Sequence, residues 1–232
     1  MKDVDKLGIV IMDTPNSIRS KTDEEIIKES PGYNCVYLPN GDYLRLNLWT
    51  PEIQYFVNLP KGLNILEIGT GDGGTSSLLS LNAAIVVTID IFDSYKTNNV
   101  FYQKRWIKDD ITRVLNSLLL FNNLIVMAGP SKIVVPCLQD RFFDAVFIDA
   151  DHTYEGVKDD YMSSYSKLKD DGIFIFHDYD YNEDYKKNFP MDEIEAKIWE
   201  TYGVKKFVDE LYNPQEIERV GCSAIVHKKE IK

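Results

Sequence analysis

The sequence is poor in several things, and each shortage narrows the reading. Its 232 residues include only three cysteines and three histidines. No apolar run approaches the roughly 20 residues that a membrane span needs. Cys35, Cys137 and Cys222 are too few and too scattered for a disulfide framework or a zinc motif, so each reads as a packing residue in a reducing compartment. Positive charge is also scarce: 26 Lys and Arg against 37 Asp and Glu leave a net charge of −11. Such a chain repels phosphate backbones and anionic lipid. Lys186-Lys187, Lys205-Lys206 and Lys228-Lys229 are isolated pairs that read as solvated surface. Neither nucleic acid, tRNA included, nor a membrane is therefore expected as a partner. The opening MKDVDKLGIV carries acids where a signal peptide is basic, so a cytoplasmic location is expected. There is no internal repeat and no low-complexity linker.

What is present is a core. A hydrophobic fraction of 44% and an aromatic fraction of 12% are those of a packed domain, not a disordered chain. Residues 1–60 are expected to form a cap or lid, with a helix over Lys21 to Glu29, a turn at Pro31-Gly32 and an aromatic stretch from Tyr43 to Phe56 in which Pro51 starts a helix. Residues 61–232 form the main domain. There, short β-rich runs alternate with helical stretches, the pattern of a parallel sheet covered on both faces. Strands are expected at Asn64–Ile68, Ile85–Ile89, Leu124–Met127, Asp144–Asp149 and Gly172–Phe176. Helices are expected at Thr75 to Leu81, Phe101 to Leu120, Tyr154 to Lys169 and Met191 to Tyr202, with a short helix or turn from Lys132 to Leu138. Val204 to Leu211 and Gly221 to His227 read as a terminal hairpin.

Chemistry concentrates at the strand ends. Asn64–Ile68 runs into Gly69-Thr70-Gly71-Asp72-Gly73-Gly74 and then a helix, which presents free backbone N–H groups to a nucleotide-like ligand. Gly69-x-Gly71-x-x-Gly74 also satisfies the dinucleotide fingerprint, and Asp90 ends the next strand where a ribose-binding acid sits in either case. Glu67 separates the two. A carboxylate among Ile and Leu is costly to bury without a cationic or hydrogen-bonding partner, and a methionine ammonium is one. The ligand crevice of an open α/β sheet lies outside the carboxyl ends of its strands. Asp149, Asp151, His152, His177 and Asp178 should therefore converge there, bringing two of the three histidines beside three carboxylates.

The string ILEIGTGDGGTS resembles the first motif of class I S-adenosylmethionine-dependent methyltransferases. Asp149-Ala150-Asp151-His152-Thr153-Tyr154-Glu155 and the ending His177-Asp178-Tyr179 resemble a branch of O-methyltransferases with a D-x-D-H-x-Y-E signature, related to macrocin-type sugar enzymes and to catechol and caffeoyl-CoA enzymes. Thr50-Pro51-Glu52 looks like the T/S-P-E element of the caffeoyl-CoA-like members. The likeness spans about Thr50 to Asp178. It implies a Rossmann-like α/β fold, a mostly parallel seven-stranded sheet with helices on both faces and a C-terminal antiparallel hairpin.

The resemblance also implies S-adenosylmethionine as cofactor, bound by Glu67, Gly69, Thr70, Gly71, Gly73, Thr75, Asp90, Ile91, Ser131 and Asp149. Glu67 would orient the methionine moiety, Asp90 would take the ribose hydroxyls, and the loop to Ser131 would border the adenine. It implies a small-molecule hydroxyl acceptor of sugar or natural-product type, and a homodimer formed through N-terminal segments. Several relatives bind magnesium or another divalent cation at positions matching Asp149, His177 and Asp178. Magnesium prefers oxygen, whereas His177 offers nitrogen, so an altered site, a softer ion or no ion are all open. An ion would lower the pKa of the acceptor hydroxyl; without one, His152 or His177 would take the proton beside Asp149. Tyr179 to Tyr185 would border the acceptor, while Trp49, Tyr55 and Phe56 read as core packing. Two other functions remain: a nicotinamide-dependent oxidoreductase using the same glycine loop, and a catalytically silent methyltransferase-fold binding protein.

Overall fold

A computed structural model describes residues 10–12, 34–38, 43–48, 50–92, 111–180 and 199–230. The expected helices at Lys21 to Glu29 and Met191 to Tyr202 lie wholly or mainly outside these residues, as do the turn at Pro31-Gly32, Trp49 and most of the loop after Tyr179. Within them, three short strands, β1 (Val10–Met12), β2 (Asn34–Tyr37) and β3 (Tyr43–Leu46), form an antiparallel sheet in the order β1-β2-β3. This small sheet is not foreseen by the sequence reading. Helix α1 (Thr50–Val57) follows, with Pro51 in its first turn, where the ring's fixed φ suits a helix start and no N–H is lost.

The main sheet has seven strands: β4 (Asn64–Ile68), β5 (Ile85–Asp90), β6 (Leu124–Ala128), β7 (Phe143–Ile148), β8 (Leu168–Phe176), β9 (Glu218–Val220) and β10 (Ser223–His227). Their order is β6-β5-β4-β7-β8-β10-β9. The first five pair in parallel, while β10 runs antiparallel to β8 and to β9. The intervening helices are α2 (Gly74–Ser80), α3 (Ile111–Leu118), α4 (Ser131–Val134, continued by a 3-10 turn to Cys137), α5 (Tyr154–Ser164) and α6 (Val204–Leu211).

Strand periodicity divides the core in two. Ile65, Val86, Ala145, Phe147, Ile175 and Ile225 face α1, α2, α3 and the N-terminal strands, where Leu44, Leu46, Ile53 and Phe56 join the same core. Their neighbours Leu66, Val87, Val146, Phe174, Phe176 and Val226 face α5 and α6, against Tyr161, Phe207 and Val208. The N-terminal segment and the sheet thus share one hydrophobic cluster. Gly74 lies so close to β3 that a Cβ there would come within 1.7 Å of the Arg45 carbonyl oxygen.

Two expected elements are corrected. Val204 to Leu211 is a helix, not a hairpin arm: Val204, Phe207 and Leu211 recur at helical spacing and pack on the α5 face, while β10 pairs with Glu218–Val220 instead. The helix expected to reach Lys169 ends at Ser164. The chain turns there so that Leu168 enters the core, and the Lys167 ammonium donates to the carbonyls of Pro136 and Leu138, at 3.0 and 2.9 Å. Strand β8 accordingly starts at Leu168, earlier than Gly172.

Phe207 tests the corrected helix. It packs edge-on against Tyr154, Tyr161 and Phe176, so Phe207→Ala should cost about 3–5 kcal/mol of folding stability. Equilibrium urea unfolding followed by circular dichroism measures this, and a loss below 1 kcal/mol would contradict the placement.

Candidate active site

The chain reverses direction across the sheet between β4 and β7, so the crevice of this topology lies at the carboxyl ends of those two strands. Successive backbone bonds stitch the ends together: Gly69 N–H to the Ile89 carbonyl, Asp149 N–H to that of Ile68, and His177 N–H to that of Ile148. Gly69 has a φ of 104°, and a Cβ on it would lie 2.1 Å from the Asp149 carbonyl oxygen. Only glycine allows the loop to pass so near β7. The glycine loop and the segment that begins at Asp149, after β7, are therefore in contact.

Glu67 is fully buried on β4 and accepts a short hydrogen bond from the Ser76 hydroxyl of α2. Its Oε1 has no protein partner. Burial pushes its pKa up to about 8, against the lowering effect of the Ser76 and Thr88 hydroxyls. Asp90 folds the loop: Oδ2 accepts from Thr70 and Gly71 N–H, both at 3.0 Å, and Oδ1 accepts from Phe92 N–H at 2.7 Å. Burial raises its pKa too. Thr70 is buried, its hydroxyl 2.7 Å from that of Thr88. Gly71 is open, with nothing within 4 Å of where a Cβ would stand, and Gly73, at φ 77°, begins α2. Thr75 is buried in the first turn of α2.

Ile91, beyond Asp90, is 53% exposed, an apolar side chain at the strand end where a cofactor contact is expected. Ser131 starts α4, in the loop whose Gly129 N–H donates to the Asp90 carbonyl. Its hydroxyl is committed to Asp160 of α5, a buried carboxyl that burial raises to about 6.

At the ends of β7 and β8 the structure gathers Asp149, His152, His177 and Asp178. One Asp149 oxygen lies 2.9 Å from His177 Nδ1 and 3.2 Å from His152 Nε2. Asp178 reaches His152 Nε2 at 3.2 Å and His177 Nδ1 at 3.5 Å. Asp178 adopts a left-handed backbone, φ 53°, a conformation costing about 1–3 kcal/mol that aspartate tolerates better than most residues. His152 also stacks on Tyr202 at 4.6 Å. Burial disfavours charge on both imidazoles, but the carboxylates overcome it. They raise the His152 pKa and lift that of His177 well above its ordinary value. Burial would likewise raise Asp149, yet the His177 and His152 charges hold it well below the usual carboxylate range. Asp151 instead accepts the Thr153 N–H at the start of α5 and stands apart from this cluster.

The expected magnesium ligands are thus adjacent, but they do not fit that ion. The His177 nitrogen facing them is engaged with Asp149, and magnesium selects oxygen donors. The sequence reading also missed two residues beneath them. Glu52 of α1 and Cys222, in the β9–β10 turn, are each 1% exposed and reach the far side of the His177 ring. Glu52 carried a signal, since an acid shares the apolar helix face of Ile53 and Phe56. Cys222 carried none.

Residues 66–179 match the family model described as a methyltransferase domain. This stretch, just under half of the chain, is similar to S-adenosylmethionine-dependent methyltransferase domains, and the nicotinamide alternative gains no support. Among solved structures, the fold is similar to cofactor-bound Rv0187 from MTB, at 16% identity over 80% of this chain and 83% of that one, TM-score 0.53. Likenesses of lower TM-score are to YcgJ protein from Bacillus subtilis (18% identity, 54% of this chain, 47% of that one, TM-score 0.40) and to MycE methyltransferase of the mycinamycin biosynthetic pathway, in complex with Mg and SAH (14% identity, 76% and 47%, TM-score 0.45). The chain spans about half the length of these last two. No curated protein matches the sequence. Among the described residues, no helix is long and apolar enough to cross a membrane.

The Glu67 environment predicts a pH signature. Its folded pKa, about 8, lies above the ordinary 4.5. The stability it contributes is therefore full below pH 4.5 and is lost as pH rises toward 8, because the unfolded chain ionises there first. The swing is on the order of a few kcal/mol. Urea unfolding of the ligand-free protein at pH 5 to 8 should show this decline, flattened in Glu67→Gln; identical slopes for the two proteins would refute the assignment.

Proposed function

We propose that this domain transfers the methyl group of S-adenosylmethionine to a hydroxyl oxygen of a small-molecule acceptor. The observation that carries the reading is His152: its Nε2 stands between Asp149 and Asp178, in the strand-end cluster that touches the glycine loop. The cofactor supplies an electrophilic methyl group on a sulfonium.

The residues present suit that cofactor. A buried acceptor without a partner costs about 1–3 kcal/mol, and Glu67 Oε1 is such an acceptor. An ammonium would satisfy it and draw the carboxyl to its ionised form. No atom crowds the Cβ position of Gly71, so a ligand can approach the loop there, while Asp90 holds the Thr70 and Gly71 amides in place and offers the ribose its carboxylate edge. Ile91 would cover one face of the adenine, and the Ser131 loop, fixed through Asp160, would border it.

On the acceptor side, Asp149 and Asp178 fix the His152 ring, and Tyr202 restricts its tilt. His152 is the residue to accept the hydroxyl proton as oxygen attacks carbon, because an imidazole takes and releases protons near neutral pH. The flanking carboxylates stabilise the imidazolium that results. His177, only 5% exposed, is a positioning residue that orients Asp149. No oxidation or reduction is involved.

Calorimetric titration with S-adenosylhomocysteine and turnover of radiolabelled S-adenosylmethionine on a panel of sugars, polyols and phenols test the proposal. Glu67→Gln should weaken S-adenosylhomocysteine by about 1.5–3 kcal/mol. His152→Ala should leave that affinity unchanged and lower kcat by about 10²–10⁴-fold. Cofactor binding with no turnover on any hydroxyl compound would favour the silent binding protein, and unchanged kcat in His152→Ala would remove the base.

A further inference from the structure

The side of His177 that faces away from Asp149 is built differently. There Nε2 lies 3.5 Å from Cys222 Sγ and 3.7 Å from Glu52 Oε1, and Sγ lies 3.3 Å from the same Glu52 oxygen. We propose that Glu52, His177 and Cys222 form a site for a divalent ion of the zinc class, on the edge of the His177 ring opposite Asp149.

Four observations carry this. The first is spacing. Tetrahedral zinc, with bonds of about 2.3 Å to sulfur and 2.0–2.2 Å to nitrogen and oxygen, holds its ligand atoms about 3.3–3.6 Å apart. The three separations here fall within about 0.1 Å of that range, so an ion could enter with little movement of the protein.

The second is orientation. Asp149 engages His177 Nδ1 at 2.9 Å, which leaves Nε2 turned toward the sulfur and the Glu52 oxygen. A carboxylate behind a histidine in this way fixes the ring of most metal-bound imidazoles.

The third is charge in a buried place. Glu52 and Cys222 are 1% exposed and His177 is 5% exposed. One thiolate and one carboxylate neutralise a divalent ion, so the loaded site is an uncharged assembly, which a protein interior accepts far better than isolated charges. Binding would release the Cys222 thiol proton and the Nε2 proton of His177, with no redox change. Sulfur selects zinc-like ions and rejects magnesium.

The fourth is backbone design. Gly221, at φ 61°, has the Glu52 side chain against it: a Cβ would sit 2.8 Å from Glu52 Cγ. The turn therefore approaches α1 as closely as it can, placing Cys222 beside a residue 170 positions earlier. Three protein ligands leave a fourth position, which a water molecule can fill without changing the charge of the assembly. The site is defined by protein side chains alone and does not depend on methyl transfer.

Cobalt(II) titration of the purified full-length chain, tag removed and thiols reduced, tests this. A stoichiometric near-ultraviolet cobalt–thiolate charge-transfer band is expected, displaced by zinc. The band should persist in a Cys35→Ser/Cys137→Ser double variant and vanish in Cys222→Ser, with circular dichroism confirming the fold. Asp149→Asn should weaken cobalt by about 10–100-fold. Absence of the thiolate band in the wild-type protein overturns the proposal without recourse to any variant. So does a band that survives Cys222→Ser, or cobalt binding that lacks the band and is lost in Asp178→Asn.

Discussion

The contact between Asp149 and His177 is the constraint around which the strand ends are arranged. Both are placed by the sheet, since β7 and β8 pair in parallel up to Ile148 and Phe176 and these two residues come next. Removing one partner of such a buried pair costs about 3–5 kcal/mol, because the other is left charged and unsatisfied. The pair therefore dictates its surroundings. His152 and Asp178 fill the remaining valence on one side, and Asp178 accepts a left-handed backbone to do so. Glu52 and Cys222 fill the other side, which pulls α1 and the C-terminal hairpin onto the same point.

The glycine loop depends on a second, quieter economy. Asp90 uses both oxygens on backbone N–H groups, so its carboxylate shapes the loop before any ligand arrives. Glu67 does the opposite: it keeps one oxygen unpartnered in a fully buried position. The first acid is spent on preorganisation and the second is held in reserve for a ligand. That division explains why burial shifts both, yet only Glu67 is shifted far.

Much of this was legible in the sequence. Strands such as Asn64–Ile68 are short β-branched runs ended by glycine or acid, and they stand where periodicity puts them. The residues that end them were legible for the same reason, because the topology fixes which ends meet. The misreadings have physical causes. Val204 to Leu211 is short enough that its helical spacing of Val204, Phe207 and Leu211 competes with a strand reading. The end of α5 is set by where Lys167 finds carbonyls, which no local pattern records. Glu52 and Cys222 escaped because their chemistry comes from tertiary contact across 170 residues. A search for closely spaced ligands discards a lone cysteine, although this one lies beside an imidazole.

Histidine at position 177 gives the two halves of the site a common part. A carboxylate there would present equivalent oxygens to one ion on the acceptor side. An imidazole presents two nitrogens about 2.2 Å apart on opposite edges of a rigid ring, so each edge serves a different neighbour. Nδ1 holds Asp149 and, through it, His152; Nε2 faces the sulfur and carboxylate below. Any change beneath the ring, whether a proton leaving Cys222 or an ion entering, alters the charge on His177 and with it the field at Asp149. The acceptor side and the buried side are thus coupled through a single side chain, and a substitution on one side is expressed on the other.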